Sequence, residues 1–166
     1  MSEQQTPAML SEHTVAEIEH WLARFPADQR QSAVLGALRA AQHQNDGYLS
    51  DELIAAVADY LGMAKIAVLE VASFYSMLET EPCGRHCVAI CTNISCWLRG
   101  AEELVAHAEN KLGIKLGEST PDGRIFLKKE EECLADCCGA PMMQVDHCYH
   151  SDLNPQKLDE ILGGLE

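Results

Sequence analysis

The stretch that decides this chain is Arg85-His86-Cys87-Val88-Ala89-Ile90-Cys91-Thr92-Asn93-Ile94-Ser95-Cys96-Trp97-Leu98. Val88 and Ile90 alternate within Arg85 to Cys91, which predicts a strand. From Leu98 onward Ala101, Leu104, Val105, Ala108 and Leu112 recur at helical spacing up to Gly113, which predicts an amphipathic helix. Cys91 and Cys96, spaced C-x4-C, fall on the connection between the two. A second pair, Cys133 and Cys137, spaced C-x3-C, falls between the predicted strands Ile125 to Leu127 and Met142 to Val145. Each pair therefore lies on a strand-end loop, where a rigid scaffold can present ligands.

Working outward, Pro121-Asp122-Gly123 reads as a turn. Asn154-Pro155 reads as an N-cap with proline at the first helical position. Leu158, Ile161 and Leu162 form the stripe of a last helix. The second half is thus β-α-β-β-α. The first half is helical. Val15, Ile18, Trp21, Leu22 and Phe25 predict one helix, stopped by Pro26. Val34, Leu38 and Ala41 predict a second, ended near Asn45-Asp46-Gly47. Ser50 is an N-cap candidate, with Asp51 and Glu52 suited to the positive end of the helix dipole. Leu49 and Ile54 stand at the positions of a hydrophobic staple. Leu53, Val57, Tyr60 and Leu61 form the third stripe, closed by Gly62, and a fourth helix covers Lys65 to Phe74. Short helices with short connections pack as a bundle. The expected architecture is α+β, with a helical bundle over 1–80 and a small β-containing domain over 81–166.

All eight cysteines lie between Cys83 and Cys148. The start, Met1-Ser2-Glu3-Gln4-Gln5, lacks the basic and apolar regions of a secretory signal, and no apolar run approaches a membrane span. A reducing compartment, cytosolic or the mitochondrial matrix, is the expectation, and cysteine clusters there are more often ligands than disulfides. The net charge of −14, half of it in each part of the chain, repels DNA and anionic membrane. Nucleic-acid binding and direct membrane insertion are not expected.

Two pairs of soft, anionic thiolates suit a [2Fe-2S] cluster, which takes two on each iron. Zinc held by four cysteines is the rival, since C-x4-C and C-x3-C stand at the wide end of its usual spacing. A dithiol oxidoreductase would require C-x-x-C, which the chain lacks. Cys87 reads as a small hydrophobe inside the first strand, and Cys83, Cys138 and Cys148 as non-ligands, although Cys138 adjoins Cys137. His13, His20 and His43 read as surface residues. His147 and His150 flank Cys148 and read as solvated. The run Lys128-Lys129-Glu130-Glu131-Glu132 reads as a solvated strand end, and Met142 and Met143 as core. There is no G-x-G-x-x-G and no P-loop. A [2Fe-2S] cluster accepts one electron whereas nicotinamide delivers a hydride, so any NAD chemistry must belong to a partner chain.

These residues resemble the thioredoxin-like [2Fe-2S] subunit family of NADH:quinone oxidoreductase (respiratory complex I), the 24 kDa or E subunit. The resemblance rests on Glu70-Val71-Ala72-Ser73-Phe74-Tyr75-Ser76-Met77, Gly84-Arg85-His86 and Cys91-Thr92-Asn93-Ile94-Ser95-Cys96-Trp97-Leu98. It continues in Gly100-Ala101-Glu102, Pro121-Asp122-Gly123-Arg124 and Ala140-Pro141-Met142-Met143. It implies a helical N-terminal bundle followed by a thioredoxin-like [2Fe-2S] ferredoxin domain, with Cys91, Cys96, Cys133 and Cys137 as cluster ligands. It further implies a partner flavoprotein that holds FMN and NADH, neither of them on this chain. The complex would stand as a peripheral arm on a membrane-bound assembly, and no catalytic residue is expected on this chain. Related subunits occur in NAD-dependent formate dehydrogenases and hydrogenases, and the Asn93-to-Trp97 run resembles the complex I branch more. One departure stands in the second pair. The family reads C-L-G-x-C, whereas this chain reads Cys133-Leu134-Ala135-Asp136-Cys137. A positive φ at Ala135 would be strained, and Asp136 would disfavour the reduced, more negative cluster.

Overall fold

The computed structural model describes residues 9–129 and 133–166. The expectations for Met1 to Gln5 and for Glu130 to Glu132 lie outside them. Contacts divide the chain into two compact units, Met1–Pro82 and Cys83–Glu166.

Among the described residues the first unit holds four α-helices, α1 (Glu12–Leu22), α2 (Val34–Gln44), α3 (Asp51–Leu61) and α4 (Lys65–Phe74), with a 3-10 turn (Arg30–Ala33) ahead of α2. Ser11 caps α1 by accepting from the Thr14 N–H, and Ser50 caps α3 by accepting from the Leu53 N–H. Leu49 and Ile54, on either side of the Ser50 cap, are both buried. The predicted stripes form one core. Ile18, Leu38, Leu49, Ile54, Val57 and Val68 are all at most 1% exposed. Polar ties close the bundle. The buried Gln42 donates to the Met77 carbonyl and accepts from the Glu79 N–H. Gln44 accepts from the Thr14 hydroxyl at 2.7 Å. The first helix stops at Leu22, three residues before the expected end at Phe25. Residues 23–25 instead tighten into turn hydrogen bonds, because a residue preceding proline avoids the helical region.

The second unit is a five-stranded sheet in the order β2-β3-β1-β4-β5. Its strands are β1 (His86–Ile90), β2 (Glu118–Ser119), β3 (Ile125–Lys128), β4 (Met143–Val145) and β5 (Cys148–His150). β1 and β3 are parallel, with Val88 opposite Leu127, while β4 runs antiparallel to β1, with Ile90 opposite Met143. The crossover from β1 to β3 carries the four-residue helix α5 (Ile94–Trp97) and then α6 (Ala101–Leu112), and α7 (Pro155–Gly163) follows the sheet. Leu104 and Ala108 of α6, Leu158 and Leu162 of α7, and Val88, Ile125, Leu127 and Met143 of the sheet share one core.

Two strands exceed the three that the pattern predicts. β2 has two residues and β5 three, too few for alternation to register. β4 and β5 join through Asp146-His147, both at positive φ (48° and 73°). That is the backbone of a two-residue hairpin turn, normally signalled by glycine or asparagine. His147 therefore serves a turn. Among the described residues no helix is long and apolar enough to cross a membrane.

Candidate metal centre

Cys91 is the first residue past β1, and its N–H donates to the Met142 carbonyl at 3.1 Å. Cys96 lies inside α5 rather than ahead of a helix as its spacing suggested. Asn93 caps this short turn by accepting from the Ile94 N–H. The turn points Cys96 inward, so that Cys91 and Cys96 are both 2% exposed. They pack with Ala101, Ala140 and Met142.

Cys133 and Cys137 reach the same recess from the connection between β3 and β4. The recess is lined by these four cysteines with Asn93, Ser95, Asp136 and Met142. Cys133 and Cys137 are exposed, so the site has a buried pair and a surface pair. Their sulfurs are 3.7 Å apart. Two thiolates on one tetrahedral metal with bonds of about 2.3 Å stand ~3.8 Å apart. The outer pair is thus already spaced to share one metal. Ala135 carries φ 66°, the left-handed conformation, and its N–H donates to the Cys133 sulfur at 3.4 Å. Glycine-favouring geometry is kept here by an alanine.

Burial, hydrogen bonding to Cys91 and the charges of Cys91 and Cys133 push the Cys96 thiol up to about 11, against a lowering hydrogen bond from the Met142 backbone. A cationic group beside Cys96 would favour its thiolate, and metal binding supplies one by displacing the proton. Among the described residues, no three Cys, His, Asp or Glu side chains converge as ligands of a single ion. Cys83, Cys87, Cys138 and Cys148 do not line the recess. Cys87 lies half-buried in β1, and Cys138 is exposed one residue past Cys137.

Other residues brace the walls, and their part was hidden from sequence pattern. The Arg99 guanidinium donates to the Ala140 carbonyl at 2.7 Å, joining the end of α5 to the segment before β4. The Ser151 hydroxyl donates to the Asp136 carboxylate. The Lys157 ammonium holds the Ser151 carbonyl at 2.5 Å, and the Asp152 N–H donates to the Gly139 carbonyl at 2.6 Å. Met142 is more than core filler, because its backbone contacts both Cys91 and Cys96.

A small mixed sheet thus brings two cysteine pairs into one recess. The family description "Thioredoxin-like [2Fe-2S] ferredoxin" matches residues 18–166. A second-form E subunit of NADH-quinone oxidoreductase from Rhizobium meliloti is 44% identical over 88% of this chain and 84% of its own length. The E subunit of the NADH-quinone oxidoreductase of Rickettsia conorii is 38% identical over 89% of this chain and 88% of its own. The mitochondrial NADH dehydrogenase [ubiquinone] flavoprotein 2 of Dictyostelium discoideum is 38% identical over 98% of this chain and 66% of its own. The chain belongs to the thioredoxin-like [2Fe-2S] ferredoxin family, within it to the E subunits of NADH-quinone oxidoreductases. In fold alone it is also similar to an NAD+-reducing [NiFe]-hydrogenase in the air-oxidized state, with a TM-score of 0.61 at 22% identity. That match covers 76% of this chain and 22% of the hydrogenase chain.

Proposed function

We propose that this chain is the electron-transfer subunit of an NADH:quinone oxidoreductase, with one [2Fe-2S] cluster on Cys91, Cys96, Cys133 and Cys137. The observation that carries this reading is the convergence of the two cysteine pairs in one recess, with the outer sulfurs at 3.7 Å. When bound, the cluster supplies one-electron oxidation and reduction. The chain's own part is to hold it. The inner pair is dry and anchored on β1 and α5. The outer pair stands at the surface, so one edge of the site is open to a partner. With no nucleotide motif on this chain, the donor is the FMN of a partner flavoprotein that binds NADH. The relatives carry the names of components of such a complex, which supports a place in its peripheral arm beside other subunits, on the cytoplasmic or matrix side. The helical part, 1–80, and the ferredoxin part, 81–166, are taken as two folding domains.

A fold likeness to a hydrogenase at 22% identity weighs less than 44% identity to the Rhizobium meliloti protein. Recovery with a nickel–iron or molybdenum subunit, in place of an FMN flavoprotein, would reverse that order. The primary test is metal analysis. About two iron and two sulfide per chain are expected, with a paramagnetic signal on one-electron reduction. Stoichiometric zinc without sulfide would leave a zinc-stapled docking module instead. Cys137→Ser is expected to lose the cluster and Cys138→Ser to retain it. The opposite result would move the fourth ligand to Cys138.

A further inference from the structure

Asp136 stands between two of the recess cysteines, and its side chain lines the recess with the sulfurs. The carboxylate is held by a built contact. Ser151, six residues before the lysine that grips its carbonyl, donates its hydroxyl to Asp136 Oδ2. Space for this contact exists because residue 139 is glycine. A Cβ there would lie 2.5 Å from the Ser151 Cβ and 2.6 Å from Asp136 Oδ2. The Asp152 N–H closes the loop on the Gly139 carbonyl. Asp136, Gly139, Ser151 and Lys157 therefore form one clamp whose product is a positioned negative charge on the recess wall. Among the described residues no basic side chain lines the recess.

We propose that Asp136, clamped by Ser151 in the space left at Gly139, sets the reduction potential of the cluster low. The inference rests on the assignment of a [2Fe-2S] cluster to this recess. One-electron reduction adds one negative charge to the group and moves no proton in this scheme. A like charge nearby raises the energy of the reduced form more than that of the oxidised form. Asp136 is a positioning residue for charge, not a ligand.

The test is a potentiometric titration of the full chain, followed by electron paramagnetic resonance, beside iron and sulfide analysis. Asp136→Asn keeps size and removes charge. It is expected to retain the cluster and shift its one-electron equilibrium about tenfold toward reduction, a rise of about 59 mV. Asp136→Glu, which keeps the charge, is expected to stay near the wild-type potential. A merely structural role would lower iron content and leave the potential of the loaded fraction unmoved. An Asn variant at the wild-type potential overturns the proposal, as does a rise shared by the Glu variant. If the Asn variant takes up no iron, Asp136→Ser is judged by the same two criteria. Absence of iron and sulfide from the wild type is seen before any potential is measured. It removes the reading of the site, and this inference with it.

Discussion

Ala135 holds a conformation that costs an L-residue about 1–2 kcal/mol, with φ 66° beside the outer cysteines. Glycine would relieve that strain but lose about 0.5–1 kcal/mol to its greater freedom in the unfolded chain. The relief is the larger effect. Ala135→Gly is expected to raise the stability of the cluster-loaded protein by about 0.5–1 kcal/mol, read from the midpoint of urea unfolding. A lower midpoint would mean that the loop is not strained. The departure from the family pattern was visible in the sequence. That the backbone kept the left-handed turn, rather than relaxing, was not.

Among elements, β1 carries the heaviest duties. It is central in the sheet and ends at Ile90, one residue before Cys91, while its first residue ties two remote segments. The His86 ring bonds the Asp146 carboxylate at 2.6 Å through Nδ1 and the Glu166 carbonyl at 2.9 Å through Nε2. The hydrogen bond to Asp146 raises the His86 pKa, opposed by burial and by Arg85 and aided by Glu166. A raised histidine pKa means the protonated ring is favoured in the folded state. Its stabilising contribution is fully present below the unfolded value of about 6.5, and is lost as pH rises through the folded value. The stability difference between wild type and His86→Gln is therefore expected to shrink from pH 6 to pH 8 in denaturant titrations. A difference that grows with pH would assign the wrong sign to this contact. In the helical unit, α1 approaches α2 through Trp21, whose ring lies where a Cβ at Gly36 would be, 2.5 Å from ring atoms. Gly36→Ala forces that ring off its seat. Overpacking of this kind costs about 1–3 kcal/mol, measurable as a lower unfolding midpoint. An unchanged midpoint would show that the ring swings away freely. The stripe of α1 was legible from Ile18 and Trp21. The dependence on Gly36 was not, because helical spacing does not report which side chain of one helix lies over which backbone of another.

At the scale of the molecule, each unit has its own core. The aliphatic core of the first unit runs from Leu10 to Leu78, and that of the second from Val88 to Leu162. The cysteine site has a small cluster of its own, Cys91, Cys96, Ala101, Ala140 and Met142. Such a cluster buries little apolar area, and its stability leans on bound metal. Chelation of iron is therefore expected to lower hydrogen-exchange protection first at the Cys91 amide, which donates to Met142, and at the amides of α5. Protection at the centre of β1, in Val88 and Ile90, is expected to outlast it. Simultaneous loss at all of these would mean that the metal holds the whole sheet.

Much of this was written in local pattern. Helical stripes, serine caps, the strand through Val88 and Ile90 and the cysteine spacing depend on neighbours within one or two turns, and sequence carries such information directly. The run from Cys91 to Leu98 carried the family as well. Three features were decided only by tertiary structure. The short edge strands exist because β3 and β4 offer partners, and the Asp146-His147 turn has no glycine to announce it. The pairs differ in depth, Cys91 and Cys96 buried and Cys133 and Cys137 exposed, because α5 turns inward while the second loop rides the surface. The clamp on Asp136 joins residues 136, 139, 151 and 157 through contacts that no periodicity encodes. By itself the sequence determined which elements form and which thiols are available. The packing of the loops between β3 and α7 decided how the thiols are brought together and which charge stands beside them, because those distances depend on long-range contacts rather than on residue order.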